Sequence, residues 1–237
     1  MNKNVIYIAI FGSEYYLHDP ETKQDNWDYV CFTDNENFKS DIWDIRIVPK
    51  MYGGARDSKK PKILPHRYLS EYDISIWVDG DVKIIGDVNT LVDAHLDSTG
   101  YAVFNHKYCG GIDSRICIYE EAKFIKWLGD IHPQNHYKDN LNIINSQVER
   151  YRKDGYPENN GQARNTVLVR RHNDKMIIKS MEDWWLEIKY GSKRDQLSFP
   201  YVAWKNNLKF NFINEDIDNN PWVKLMKKWR QLKMEGA

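Results

Sequence analysis

Ile74-Ser75-Ile76-Trp77-Val78 runs directly into Asp79-Gly80-Asp81, and this junction decides how the chain is read. A short apolar run with no period-two polarity describes a strand covered on both faces, as in a parallel α/β sheet. Two carboxylates at its C-terminal end stand where open α/β sheets place their ligands. One carboxylate can hold a hard divalent cation directly and the other directly or through water, with phosphate oxygens of a ligand completing the shell. Gly80 lets the backbone turn and a ligand approach closely. An Asp-x-Asp triplet in a surface turn would merely face solvent. The apolar flanks, Ile74–Val78 before it and Val82–Ile85 after it, set the metal reading level with that one.

Working outward, Val5–Phe11, Tyr29–Phe32 and Ile42–Val48 precede the acidic strand as three further candidate strands, each bounded by Gly, Asp, Asn or Pro. Tyr101–Phe104, Thr166–Val169 and Leu208–Ile213 read as later strands, and 154–165 as a polar loop. Helical spacing covers Ile118–Leu128, Leu141–Arg152, Lys175–Tyr190 and Gln196–Lys205, and a further helix is expected from Pro61 toward Ser70. Trp222, Leu225, Met226, Trp229 and Leu232 share one stripe, predicting a basic amphipathic helix over Trp222–Met234. The sequence therefore predicts one α/β domain over 1–220 with a mainly parallel central sheet, followed by that helix in 221–237. Its apolar stripe and lysines suggest peripheral contact with an anionic membrane, with simple packing of its tryptophans on the domain as the favoured alternative.

Lys plus Arg and Asp plus Glu both number 34, so no net positive field recruits nucleic acid. Cys31, Cys109 and Cys117 have neither even number nor CxxC spacing, which indicates neither a disulfide framework nor zinc and fits a reducing compartment. The apolar run Val5–Phe11 is too short to span a bilayer. The expectation is a cytoplasmic protein, with the inner face of the membrane as a possible station.

Beyond the acidic triplet, Tyr29–Asp34 (YVCFTD), Lys60–His66 (KPKILPH), Tyr72–Ile84 (YDISIWVDGDVKI), Arg115–Ala122 (RICIYEEA), Trp184-Trp185 and Ser192–Lys205 (SKRDQLSFPYVAWK) occur in order across most of the chain. In these segments the chain resembles a family of glycosyltransferase-like domains found in bacteria and in plant enzymes of pectin and mucilage synthesis. It is more distantly similar to retaining transferases of the glycogenin type. The resemblance implies a GT-A fold, a nucleotide-sugar donor of the UDP class, Mn²⁺ or Mg²⁺ held by Asp79 and Asp81, and a free or lipid-linked glycan as acceptor.

On that template Phe11 and Gly12 border the base, and Asp34 accepts from the uracil N–H, unless it serves only to cap the FTDN turn. Of the cations before the acidic strand, Lys59, Lys62, His66 and Arg67, the pair Lys62 and His66 is expected to neutralise the diphosphate. Arg115 and Glu120 fit a structural ion pair, and Trp184 or Trp185 the core. Asp195 and Gln196 would face the donor sugar, orienting hydroxyls, steadying an oxocarbenium charge or taking the acceptor's proton, with a helix N-cap as the structural competitor for Asp195. The glycogenin-type third metal ligand near the C-terminus has no counterpart, leaving His106, His172 and Asn214 as substitutes.

Two other function classes compete. Haloacid-dehalogenase-type phosphatases also end a strand in Asp-x-Asp, but on their opening strand and with a second acidic cluster downstream; here Gly129-Asp130 is followed by IHPQ. A non-catalytic glycan-binding protein could retain the same fold.

Overall fold

Strict alternation along β1 (Asn4–Ile10) builds both faces of the molecule. Val5, Tyr7 and Ala9 enter one apolar layer, and Ile6, Ile8 and Ile10 the other, as a pleated strand requires. The computed structural model describes residues 3–12, 17–110, 114–131 and 138–226. β1 pairs in parallel with β2 (Trp27–Thr33) and β4 (Ile74–Val78), and β2 in parallel with β3 (Asp44–Ile47). Beyond β4, β7 (Ala163–Arg170) runs antiparallel to both β4 and β6 (Tyr101–Asn105), and β8 (Asn211–Ile213) lies parallel to β6. The resulting order is β3-β2-β1-β4-β7-β6-β8, an α/β sheet that is mainly parallel, as the sequence predicts. The chain winds outward from β1 to β3 and then returns to β4, so the strand order reverses between β1 and β4. Their C-terminal ends form the crevice where such sheets hold ligands.

Helices α1 (Ala55–Ile63), α3 (Ile118–Ile131), α4 (Leu141–Lys153), α5 (Lys175–Tyr190) and α6 (Asp195–Lys205) cover the Tyr7 face through residues such as Ile63, Ile118, Ile144, Met181 and Phe199. The Ile8 face is covered by α2 (Val88–His95) and by a two-stranded sheet of β5 (Val82–Ile84) and β9 (Val223–Leu225). Trp184 and Trp185 are both buried, so both belong to the core.

Three local expectations are corrected. The helix expected from Pro61 toward Ser70 starts at Ala55, carries Pro61 inside it and stops at Ile63; Pro65–Arg67 is a separate 3-10 turn. Asp57 organises the early start: its Oδ1 accepts from the backbone N–H groups of Met51 and Tyr52, both at 2.9 Å, and fixes the loop that enters the helix. α2 was not expected, although Asp87 caps it by accepting from Asn89 N at 2.9 Å. Instead of beginning a helix, Val223–Leu225 is a strand antiparallel to β5. Buried Val223 beside exposed Lys224 satisfies period two, and pairing with β5 decides the conformation. The remainder of the expected helix, 227–234, lies outside the described residues.

β9 also braces the acidic loop. Met226 N donates to the backbone oxygen of Asp81 at 2.7 Å, and Ile85 N to that of Trp222 at 2.9 Å. Gly86 is pressed against this strand so closely that a Cβ would stand 2.0 Å from the Pro221 oxygen. Gly86→Ala should therefore lower stability by about 1–3 kcal/mol, the usual cost of forced overpacking; urea unfolding with an unchanged m-value checks it.

Candidate active site

The crevice at the reversal point is an open cleft of about 630 Å³. β1 contributes Ala9 and, past its end, Phe11 and Gly12; β4 contributes Trp77 and, past its end, Asp79, Gly80 and Asp81. α1 presents Ala55, Ser58, Lys59 and Lys62, one helical face at positions i, i+3, i+4 and i+7. Lys138, Lys193 and Arg194 complete the wall from the α6 side.

Lys62 is the hub. Its side chain is 1 % exposed, and Nζ lies 2.8 Å from Asp79 Oδ1 and 2.7 Å from Asp195 Oδ2. Asp79 Oδ1 also accepts from the Trp77 indole N–H at 2.8 Å, and Lys62 Nζ sits 5.3 Å from the Trp77 ring centroid, within cation–π range. Burial pushes the Lys62 pKa down, but Asp195 and then Asp79 outweigh it, and the net direction is up. Lys59, 3.2 Å from Asp195 Oδ2, moves the other way: burial lowers it, Asp195 compensates only in part, and Lys62 adds repulsion. Burial would raise the Asp195 carboxyl, but Lys59, Lys62 and Arg194 hold it well below the usual carboxylate range. Asp195 opens α6 but does not cap it; the capping position is Arg194, without a side-chain capping bond. Its carboxylate is turned to the lysines instead.

The loop before α6 is fixed by backbone contacts. Asp139 Oδ2 accepts from Ser192 Oγ at 2.8 Å and from Lys193 N at 2.7 Å, and Arg56 Nη2 donates to the Gly191 oxygen at 2.9 Å. Arg194 donates to Gln196 Oε1 at 2.5 Å and to buried Glu121 at 3.1 Å, while Glu121 also binds Arg115 at 2.5 Å. Arg115 thus pairs with Glu121, and Glu120 instead accepts from Ile116 N at 3.1 Å.

The structure brings Phe11, Gly12, Lys62, Asp79 and Asp81 into the lining of one cleft, sets Asp195 buried behind that lining against Lys59 and Lys62, and leaves the other candidates elsewhere. Asp34 is engaged on both oxygens, by Gly12 N at 3.0 Å and Lys50 Nζ at 2.6 Å, and the bond from Lys50 lowers its pKa most. It holds Gly12, which has φ +83°, at the rim. His66 turns away to Glu182 of α5 at 2.7 Å, a carboxylate that Arg67 also binds. Burial lowers the His66 pKa, with Glu182 opposing. Gln196 faces Arg194, and its backbone oxygen accepts from Gln162 at 2.8 Å.

None of the substitute metal ligands lines the cleft. His172 is buried against the Leu69 oxygen at 2.8 Å, just past Arg170, which pairs with Ser75 at the far end of β4. His106, pushed down to about 4 by burial and by Arg115, lies in the Arg115–Glu121 cluster, and Asn214 binds Asn105 at 2.9 Å. Sequence reasoning left Lys138, Lys193, Arg194 and Glu121 unassigned as site residues. The only signal for Lys193 and Arg194 was their place beside Asp195 in SKRDQ.

Residues 15–227 match the model of the TOD1/MUCI70 glycosyltransferase-like domain. The probable hexosyltransferase MUCI70 of Arabidopsis thaliana is 26 % identical over 190 residues, covering 74 % of this chain and 30 % of the relative. This chain thus spans under a third of the length of that relative. The crystal structure of mouse xyloside xylosyltransferase 1 in its apo form superposes with a TM-score of 0.48 at 10 % identity, covering 90 % of this chain and 85 % of that one. The family match takes in every described strand of the main sheet except β1, together with the acidic loop, α1 and the α6 side of the cleft, and the chain belongs to the TOD1/MUCI70 glycosyltransferase-like domain family.

Proposed function

We propose that this domain transfers a hexose or hexuronic acid from a UDP-sugar to a glycan hydroxyl with retention of configuration, using Mn²⁺ or Mg²⁺ at Asp79 and Asp81. The observation that carries this reading is the acidic pair at the end of β4, opening on a cleft lined by five basic side chains. Among the described residues no group of three or more His, Cys, Asp or Glu could cage a metal by itself. Two carboxylates that leave the remaining positions to phosphate oxygens and water fit an Mg²⁺-type half-site. The cation, when bound, offsets charge on the departing UDP.

The chain's own residues account for the remaining work. Phe11 and Gly12 border the base. Lys59, Lys138, Lys193 and Arg194 supply positive charge along the cleft for the diphosphate. Lys62 ties Asp79 to Asp195, so one buried ammonium links the acidic loop to the start of α6. Asp195, held well below the ordinary carboxylate range by Lys59, Lys62 and Arg194, is a poor proton acceptor at neutral pH. That supports a role in fixing charge beside the donor sugar over a role as the base of an inverting reaction. Retention, with the leaving phosphate assisting deprotonation of the acceptor, is what the resemblance to glycogenin-type transferases favours.

Calorimetric titration with UDP, GDP, CMP and a panel of UDP-sugars, with Mn²⁺ and with EDTA, tests the donor site. Metal-dependent binding of UDP over the other nucleotides is the expected result; a flat panel would remove the donor and leave the glycan-binding reading. Stereochemistry is read by following the product anomer by NMR at early times, and an inverted product would overturn the role given to Asp195.

A further inference from the structure

The C-terminal end of α6 carries an exposed tryptophan that the cleft does not use. Trp204 is 36 % exposed and is held by Tyr156, with ring centroids 5.6 Å apart at 87°, and by Tyr201 at 6.1 Å. Two hollows meet at it: one of about 520 Å³ shared with Asp154, Lys205 and Asn207, and one of about 240 Å³ that includes Asn160, Asn207 and Lys209. Asn207 lies in both and has φ +54°; it follows the helix cap, and its N–H donates to the Trp204 oxygen at 3.1 Å. An asparagine in the left-handed conformation after a helix turns the chain back on itself, which is how polar side chains come to stand on both sides of one indole. Lys205 Nζ and Asp154 Oδ2 are 3.8 Å apart, with the Tyr201 hydroxyl bonded to both.

We infer that Trp204 is the platform of a glycan-binding site separate from the cleft, taking one or two pyranose units of a poly- or oligosaccharide. A pyranose has an apolar C–H face and a rim of hydroxyls. An indole face ringed by a carboxylate, amides and ammonium groups offers the matching surface, an apolar body with polar edges. An apolar partner would strip water from Asp154, Asn207 and the lysines without offering their polar edges a hydrogen bond. Asp195 opens and Trp204 nearly closes the same helix, roughly 14 Å apart along its axis at about 1.5 Å rise per residue and, at about 100° per residue, on opposite faces of it. The platform is therefore a surface apart from the cleft, and glycan binding at Trp204 does not rest on the proposed transferase reading.

The test uses the full chain with ¹⁵N-labelled tryptophan, titrated with cellopentaose, xylopentaose and pentagalacturonate to about 10 mM, a range suited to weak sugar sites. The Trp204 indole N–H resonance, assigned by its loss in Trp204→Phe, is expected to shift with at least one of the three. Calorimetry should show that oligosaccharide weakened about tenfold or more by Trp204→Phe and by Asn207→Gly. Glycine keeps the left-handed backbone while removing the amide. Both variants should bind UDP with Mn²⁺ as the parent does. Oligosaccharide binding without any UDP binding would support the platform and sink the transferase reading. No shift with any probe, or equal affinity in both variants, would overturn the platform. So would a concentration-dependent dimer that Trp204→Phe abolishes, since a second copy of the chain would then be the occupant.

Discussion

Asp81→Ala should abolish Mn²⁺-dependent UDP binding and reduce turnover about a hundredfold or more while leaving the fold in place. A cation that offsets leaving-group charge contributes several kcal/mol to the barrier, and each ~1.4 kcal/mol is a factor of ten. The tie of the loop to β9 survives the substitution, because the backbone oxygen of Asp81, not its carboxylate, accepts the bond from Met226. The melting temperature should stay within about 4 °C of the parent, the shift that ~1 kcal/mol produces in a chain of this size. Asp79→Ala would be a less clean test. The Asp79 carboxylate also accepts from Lys62 and Trp77, so its removal disturbs the buried hub together with the donor site. Retained metal-dependent UDP binding in Asp81→Ala, measured by calorimetry, would show that the acidic pair is a structural turn.

Lys62→Met carries the largest stability effect. The methionine keeps most of the apolar stem but leaves Asp195 with Lys59 and Arg194 as its remaining counter-charges and Asp79 with the Trp77 indole N–H in place of its ion pair. Breaking a buried pair from one side typically costs about 3–5 kcal/mol, which for a domain of this length lowers the melting temperature by roughly 6–20 °C. The sign of the pH dependence separates charge from packing. Asp195 has a depressed folded pKa, so its contribution is present above the ordinary carboxylate value near ~4 and is lost as pH falls below it. Lys62 has a raised folded pKa, so its contribution is present below its ordinary value near ~10.4 and is lost as pH rises through the folded one. The deficit of the variant should be widest between about pH 5 and 9 and should shrink at both ends. A deficit that stays constant from neutral pH into the acid limb would mean that Lys62 acts through packing alone.

The acidic strand was legible because a buried strand needs no partner to be recognised: ISIWV is apolar but for Ser75, and the carboxylates that follow mark its end. The cationic face of α1 was not. Two prolines, Pro61 and Pro65, drew the expected helix start downstream, and only a start at Ala55 puts Lys59 and Lys62 on the cleft side. His66 was paired with Lys62 on the assumption of one continuous helix. The break at Leu64 rotates it toward Glu182, a partner 116 residues away that no local pattern announces. Arg194–Glu121 is of the same kind, joining α3 to the α6 loop across 73 positions. At the C-terminal side, Trp222, Val223 and Leu225 satisfy a helical stripe and a strand alternation about equally over so few residues, and β5 settled the matter. Local periodicity thus gave the sheet and the acidic pair at the end of β4, whereas the charge network around that pair depends on contacts distant in sequence.

The brace of the acidic loop by β9 imposes an order of events during synthesis. Asp81 and Met226 are 145 positions apart (226 − 81), yet they share a backbone bond. At roughly 5–20 residues per second, ribosomal elongation leaves the acidic loop without its bracing strand for about 7–30 s after Asp81 is made. During that interval β1 to β4 can already pair, since all of their residues precede Asp79. The nascent chain therefore possesses the floor of the crevice before the loop above it is secured, and completion of the cleft arrives as a late, discrete step of maturation.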